Sequence, residues 1–284
     1  MLKRILLLIG LLGIIGYSIM AISIPSSYAM RDSEIDEASG LAASPIHPEI
    51  LYTHNDSGGK NAIYLLSTQG ETRGKLILEG IKNRDWEDIA TCYDAKSKQS
   101  YIYVAEIGDN RAKYPSVFVY RFKEPQLLPE KDFMLNIEEI ERLEIVYEDG
   151  ARDAEALFVD PLTMDMYIIS KREDSVGVYQ IKYPQSISSI NTAFRVATLP
   201  LSMVTAADIS PDGKKILIKT YTGIWQITKK RGQSITQALQ NRMKDRPYKV
   251  EPQGEAVAWD SKGKGYYTLS EVNPDYPLFL YYYK

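Results

Sequence analysis

Acidic side chains dominate the chemistry this chain could carry, and they recur. The stretch Asp85-Trp86-Glu87-Asp88-Ile89-Ala90 joins acids to a short apolar run, and residues 37–42 (EASGLA), 153–158 (DAEALF), 205–210 (TAADIS) and 253–258 (QGEAVA) repeat the pattern. Carboxylate and carbonyl oxygens converging from several copies would bind a hard divalent cation, Ca2+ before Mg2+. Without an ion, like charges held that close repel and one or more must stay protonated. The candidate cation ligands are Glu37, Glu87, Asp88, Asp153, Glu155, Asp208 and Glu255, with Asp85 and Gln253 in the same motifs. The basic groups of Arg152, Lys171, Arg172 and Lys219 offer another route to neutralisation. For any single acid the competing reading is structural: it satisfies backbone amides of neighbouring repeats.

These motifs must be positioned by a repeating architecture. The fifth column is always aliphatic (Leu41, Ile89, Leu157, Ile209, Val257), and subtraction gives spacings of 48, 68, 52 and 48. The long interval holds a Pro- and Glu-containing segment at 124–139 that reads as an insertion, so the period is near fifty, the size of a propeller, solenoid or array unit. Turn signals divide each unit into up to four strands. They fall at 39–44, 50–54, 62–67 and 73–79, then 87–93, 100–106, 116–122 and 142–147, then 155–159, 166–170, 177–181 and 193–199. The fourth unit has 207–210, 215–220, 223–227 and a last strand near 248–251, preceded by a short helix at 235–243. The fifth has 255–259, 265–270 and 278–283, and its missing strand is expected from residues 30–35. The expected fold is an all-β β-propeller of five four-stranded blades, with six as the alternative, since radial repetition leaves only short sheet edges.

In that arrangement each acid motif begins an innermost strand, and the loop between second and third strands emerges on the same face. The second set of candidates is therefore His54, Asn55, Asp56, Glu106, Asp109, Asn110, Arg152, Lys171, Arg172, Tyr221 and Glu271. His54, one of two histidines, opens a Gly-rich loop and is a candidate general base, against the plainer reading of a polar loop residue. His47, between Ile46 and Pro48, reads as a loop residue only. No GxSxG, HExxH, P-loop, paired-Cys zinc or EF-hand pattern is present, which removes the enzyme classes those motifs define as first choices.

Composition narrows the setting. At 284 residues the chain can bury a large core in one domain, and 34 basic against 37 acidic residues give a net charge of −3, so no general attraction to nucleic acid is expected. Lys3 and Arg4 precede an almost wholly apolar run at 5–24, and Ser27-Tyr28-Ala29 offers small residues where a cleavage site would have them. Residues 1–29 thus read as a signal peptide or, because the run is long enough to span a bilayer, an N-terminal membrane anchor. Residues 30–284 read as a single extracytoplasmic domain, secreted or anchored. Cys92, the lone cysteine, cannot form an internal disulfide and reads as a small buried strand residue.

The motifs HNDSGG (54–59), DWEDIA (85–90), EIGDN (106–110), RDAEAL (152–157), ADISPDG (207–213) and PQGEA (252–256) resemble those of a family of exported bacterial β-propeller proteins without an established activity. The resemblance spans nearly all of the chain after the leader and implies the fold and the extracytoplasmic setting, not a reaction. More distantly the organisation is similar to TolB-like and lactonase-type propellers, several of which hold a cation in the axial channel. The leading expectation is an extracytoplasmic, cation-binding propeller whose acidic face recognises a small molecule, a glycan or an envelope protein. The alternatives are a metal-dependent hydrolase of lactonase, phosphoesterase or glycosidase type using the same face, and a passive envelope scaffold.

Overall fold

In the computed structural model, which describes residues 24–126 and 132–284, the chain is all-β. The apolar run of the leader lies outside the described residues except for Ile24. No described helix is long and apolar enough to cross a membrane.

The chain begins with β1 (Ser26–Ala29) and then builds antiparallel meanders. The first unit is β2 (Ala38–Ala43), β3 (Ile50–Asn55), β4 (Ala62–Ser67) and β5 (Thr72–Leu78). The second is β6 (Trp86–Asp94), β7 (Gln99–Glu106) and β8 (Val117–Lys123), then β9 (Phe133–Leu135), a 3-10 turn at Ile137–Glu139 and β10 (Glu141–Tyr147). The third is β11 (Ala154–Val159), β12 (Met166–Ser170), β13 (Val176–Ile181) and β14 (Asn191–Leu199). The fourth is β15 (Val204–Ile209), β16 (Lys215–Thr220), β17 (Gly223–Thr228), helix α1 (Ile235–Ala238) and β18 (Lys244–Arg246). The fifth is β19 (Gly254–Trp259), β20 (Tyr266–Ser270) and β21 (Phe279–Tyr283). Turn chemistry sets these breaks: Gly213, at φ 66°, supplies the left-handed residue that ends Pro211-Asp212-Gly213.

The strands do not form five separate four-stranded sheets. Among the described residues there are four sheets, of which one has eight strands in the order β11-β12-β13-β14-β10-β8-β7-β6. The cause is a parallel pairing of β10 with β14, Ile145 opposite Asn191, which joins the second and third meanders at their outer edges. The end strands β6 and β11 also pack together, so this sheet is nearly closed on itself. Part of the segment read as an insertion becomes β9, a fifth strand parallel to β5. The first strands of all five units make a cycle: β2 packs on β6, β6 on β11, β11 on β15, β15 on β19, and β19 on β2. Five apolar clusters fill the gaps between successive units, including the gap between fifth and first. Trp86 and Tyr52 in one such gap are fully buried, each contributing on the order of 2 kcal/mol.

Three local expectations are corrected. The closing strand is β1, with Ser26 opposite Tyr282, not residues 30–35; there Asp32 accepts the Glu34 amide and the Ile35 amide bonds back to Asp32, which makes a turn. The last strand of the fourth unit is Lys244–Arg246, not 248–251, where the Lys249 and Glu251 amides donate to the hydroxyls of Tyr283 and Tyr248 rather than to a neighbouring strand. The short helix covers Ile235–Ala238 alone.

Candidate functional site

Each inner strand pair contains a β-bulge at the same place, between Ala38 and Gly40, Trp86 and Asp88, Ala154 and Ala156, Val204 and Ala206, and Gly254 and Ala256. The extra residues are Ser39, Glu87, Glu155, Thr205 and Glu255. A bulge re-aims a side chain that the pleat would otherwise direct elsewhere, so one residue per unit is turned to the end where the inner strands begin. The fourth motif therefore runs two residues earlier than its acid suggests. Thr205, not Asp208, is the counterpart of the three glutamates, and Ala207 takes the aliphatic column.

Loops leaving the second strands complete the site with Asp56 after β3, Gly108 after β7, Lys171 after β12, Tyr221 after β16 and Glu271 after β20. Carboxylate oxygens of Asp56, Asp85 and Glu87 lie within 4.8 Å of one another, and so do those of Asp56, Glu255 and Glu271. Asp56 is shared, so one patch of five carboxylates runs from the second unit through the first to the fifth. On the far side a hydrogen-bonded chain crosses three units: Lys171 donates to Glu155 and to Tyr221 (3.1 Å), and the Tyr221 hydroxyl donates to Glu255 (2.6 Å). Gly108 leaves room for the two carboxylates beside it. A Cβ there would overlap Glu87 Oε1 and the Asp85 carboxylate.

Burial and mutual repulsion shape the protonation of the patch. Burial, then Glu155, Asp56 and Asp85, raise the Glu87 carboxyl well above its ordinary value. Burial lifts Asp56 to about 6, with Asp85, Glu255 and Glu37 adding to the rise against the Ser57 amide. Burial and Glu255 lift Glu271 to about 7. Asp85 is raised by burial and Asp153, against Arg84. Burial works against the Lys171 charge, but Glu155 and Tyr221 beside it hold it protonated.

Several sequence candidates lie elsewhere. Asp88, 0% exposed, accepts the Leu157 amide of the third unit at 2.8 Å, the Ala207 amide of the fourth at 3.3 Å and its neighbour Ile89. Asp208 accepts the Trp259 amide of the fifth unit at 2.7 Å and that of Ile209. Both are clamps between units. Asp153 accepts the Asp109 amide and pairs with Arg172, which also donates to Asn110. Asp109 caps the Tyr114 amide. Glu37 is exposed, and its carbonyl receives the Asp56 amide.

His54 is not on the face. It is fully buried, edge-on to Trp86 at 5.7 Å, with Nδ1 3.0 Å from Asn55 O, and burial pushes its pKa down to about 4. Asn55 donates to Glu34 O and Asp36. Glu106 is buried beside Arg84 and Tyr120. Arg152 is held by Asp149 and Glu173 over the Tyr179 ring. Lys219 is buried and donates to the carbonyls of Thr220 and Gly254.

Thr205 has no charge to mark it in the sequence. Its hydroxyl is buried and has no hydrogen-bond partner among the described residues. Register would have found it, because Ala207 lies 50 residues after Leu157 and 50 before Val257, a more even spacing than Ile209 gives. The hard-oxygen donors of the patch fit a cation of Ca2+ type. No protein-family model matches the chain, and no curated protein matches it in sequence.

Proposed function

We propose that the chain is a five-bladed β-propeller, exported from the cytoplasm, that binds Ca2+ at the carboxylate patch and uses that end to recognise an oxygen-rich ligand. Support for the blade count is the cycle of five inner strands with β1 completing the fifth unit; the parallel β10–β14 pair then bridges two blades. The six ordered motifs that resemble an exported propeller family agree with this reading.

The observation that carries the cation reading is the sharing of Asp56 between two three-carboxylate groups. Oxygens about 2.3–2.6 Å from a common ion are at most roughly 5 Å apart, the separation seen here. Two cations stand close by: Lys171 is committed to Glu155 and Tyr221, and Arg84 pairs with Glu106. A sugar, a small polyol or a partner's carboxylate could complete such an ion's shell.

Titration calorimetry of the soluble domain with Ca2+, after chelator treatment, tests the reading. One or two sites lost in Asp56→Asn are expected, and heats indistinguishable from buffer dilution would end it. A second reading, metal-dependent hydrolysis, draws on the raised carboxyls of Asp56 and Glu271, which suit proton transfer near neutral pH. His54 cannot serve as its base from a fully buried position. Turnover of a lactone, phosphoester or aryl glycoside that disappears in Asp56→Asn would favour it over pure binding.

A further inference from the structure

Residues 27–29 carry the small side chains that a signal peptidase would read, and in the folded protein the same residues are a β-strand. β1 lies along β21 with Ser26 opposite Tyr282 and Ala29 opposite Phe279, and the Met30 amide continues the ladder to Leu278 O. Tyr28 and Met30 pack into the apolar cluster that joins the fifth unit to the first. Cleavage after Ala29 would remove the whole strand, turn β21 into an open edge and uncover part of that cluster.

We propose that the chain is not cleaved there, and that residues 5–24 remain as a membrane anchor which holds the domain with its carboxylate patch facing away from the bilayer. The orientation follows from strand register. β1 enters beside Tyr282, which pairs with Tyr267; the adjacent Tyr266 pairs with Trp259. That is the end where the inner strands finish. The carboxylates sit at the other end, where Gly254 pairs with Ser270. Only Pro25 separates Ile24 from β1, and its fixed φ makes the junction short and stiff. The end brought toward lipid holds a cavity of about 400 Å3 whose apolar wall is Pro45, Pro161, Leu162 and Trp259, with Asp208 and Asp260 also lining it. Leu162 is 65% exposed and Ile24 87% exposed at this end.

The proposal rests on the export reading, and cell fractionation with the full chain separates the two. Protease added to spheroplasts reports export, while membrane association and intact mass report retention. The expected result is a protease-sensitive domain, in the membrane fraction, with the mass of the uncleaved chain. A protease-sensitive but released protein would overturn retention and leave export standing; a protected domain would overturn export and the orientation with it. Two soluble forms test the premise: the one starting at Met30 should melt at least about 5 °C below the one starting at Pro25 or fail to fold, and equal melting would sink it. For orientation, the full chain is placed in vesicles containing a dansyl lipid. Energy transfer should fall more in a Trp225→Phe/Trp259→Phe variant than in Trp225→Phe/Trp86→Phe, and the reverse order would overturn the outward-facing patch.

Discussion

Glu87 and Asp88 are neighbours on one strand, and they have opposite fates. Asp88 receives three backbone amides, two of them from other units, and is finished as a hydrogen-bonding group. Glu87 sits on the bulge and meets Asp85 and Asp56 instead of donors. A carboxylate surrounded by amides holds the fold together; one surrounded by carboxylates needs a proton or a cation. Asp208 is a second clamp of the first kind, whereas Glu255 shares the patch with Asp56 and Glu271 and takes one hydroxyl, that of Tyr221.

Disturbing each side of this contrast should have different consequences. The largest effect is expected from Asp88→Ala, which strands buried amides in three units: a loss of about 3–5 kcal/mol in urea unfolding, with Ca2+ binding retained in whatever fraction folds. A loss under about 1 kcal/mol would show that the clamp is dispensable. On the other side, Asp56→Asn should weaken Ca2+ binding about 100-fold while leaving stability in chelator unchanged or raised, because a repulsive charge is gone. Gly108→Ala is the subtler disturbance. Its methyl group displaces Glu87 and Asp85 without removing charge, and about a tenfold loss of Ca2+ affinity by calorimetry is expected.

Titration gives a smaller and signed effect. Asp56 at about 6 and Glu271 at about 7 lie above their ordinary values of 3.8 and 4.5, so the metal-free folded state binds more protons than the unfolded chain between them. Their stabilisation is fully present below about pH 4 and is lost as pH rises through 6 to 7. His54, lowered to about 4, acts in the opposite sense, its contribution being lost as pH falls from 6.5 through 4. The clean measurement is therefore the difference between chelated and Ca2+-saturated melting across pH 4.5–7.5. The gap should widen with rising pH, and a constant gap would detach the cation from these carboxyls. The smallest effect is assigned to Tyr221→Phe, which removes the hydroxyl joining Lys171 to Glu255. About 1 kcal/mol of stability should go, with Ca2+ affinity within a factor of about three.

Much of the fold was legible because strands are local: alternation and turn residues placed β4, β12 and β16 to the residue, and most others within one or two. The period near fifty located every inner strand. What local patterns could not convey was pairing between distant edges. The parallel β10–β14 contact and the entry of β1 beside β21 depend on which edges the packing of the five units brings together. The same limit applied to the site. Acids of similar motif were sorted by a bulge and by the donors around them, so Glu87 and Glu255 joined the patch, Asp88 and Asp208 became clamps, and His54 was carried under Trp86. Residue type and spacing set the repeat and its chemistry; assembly of the five units set which oxygens meet, because the amides that reach Asp88 and Asp208 from other units come from strands 51 to 119 residues away, and Asp56 meets Asp85 and Glu255 only across units.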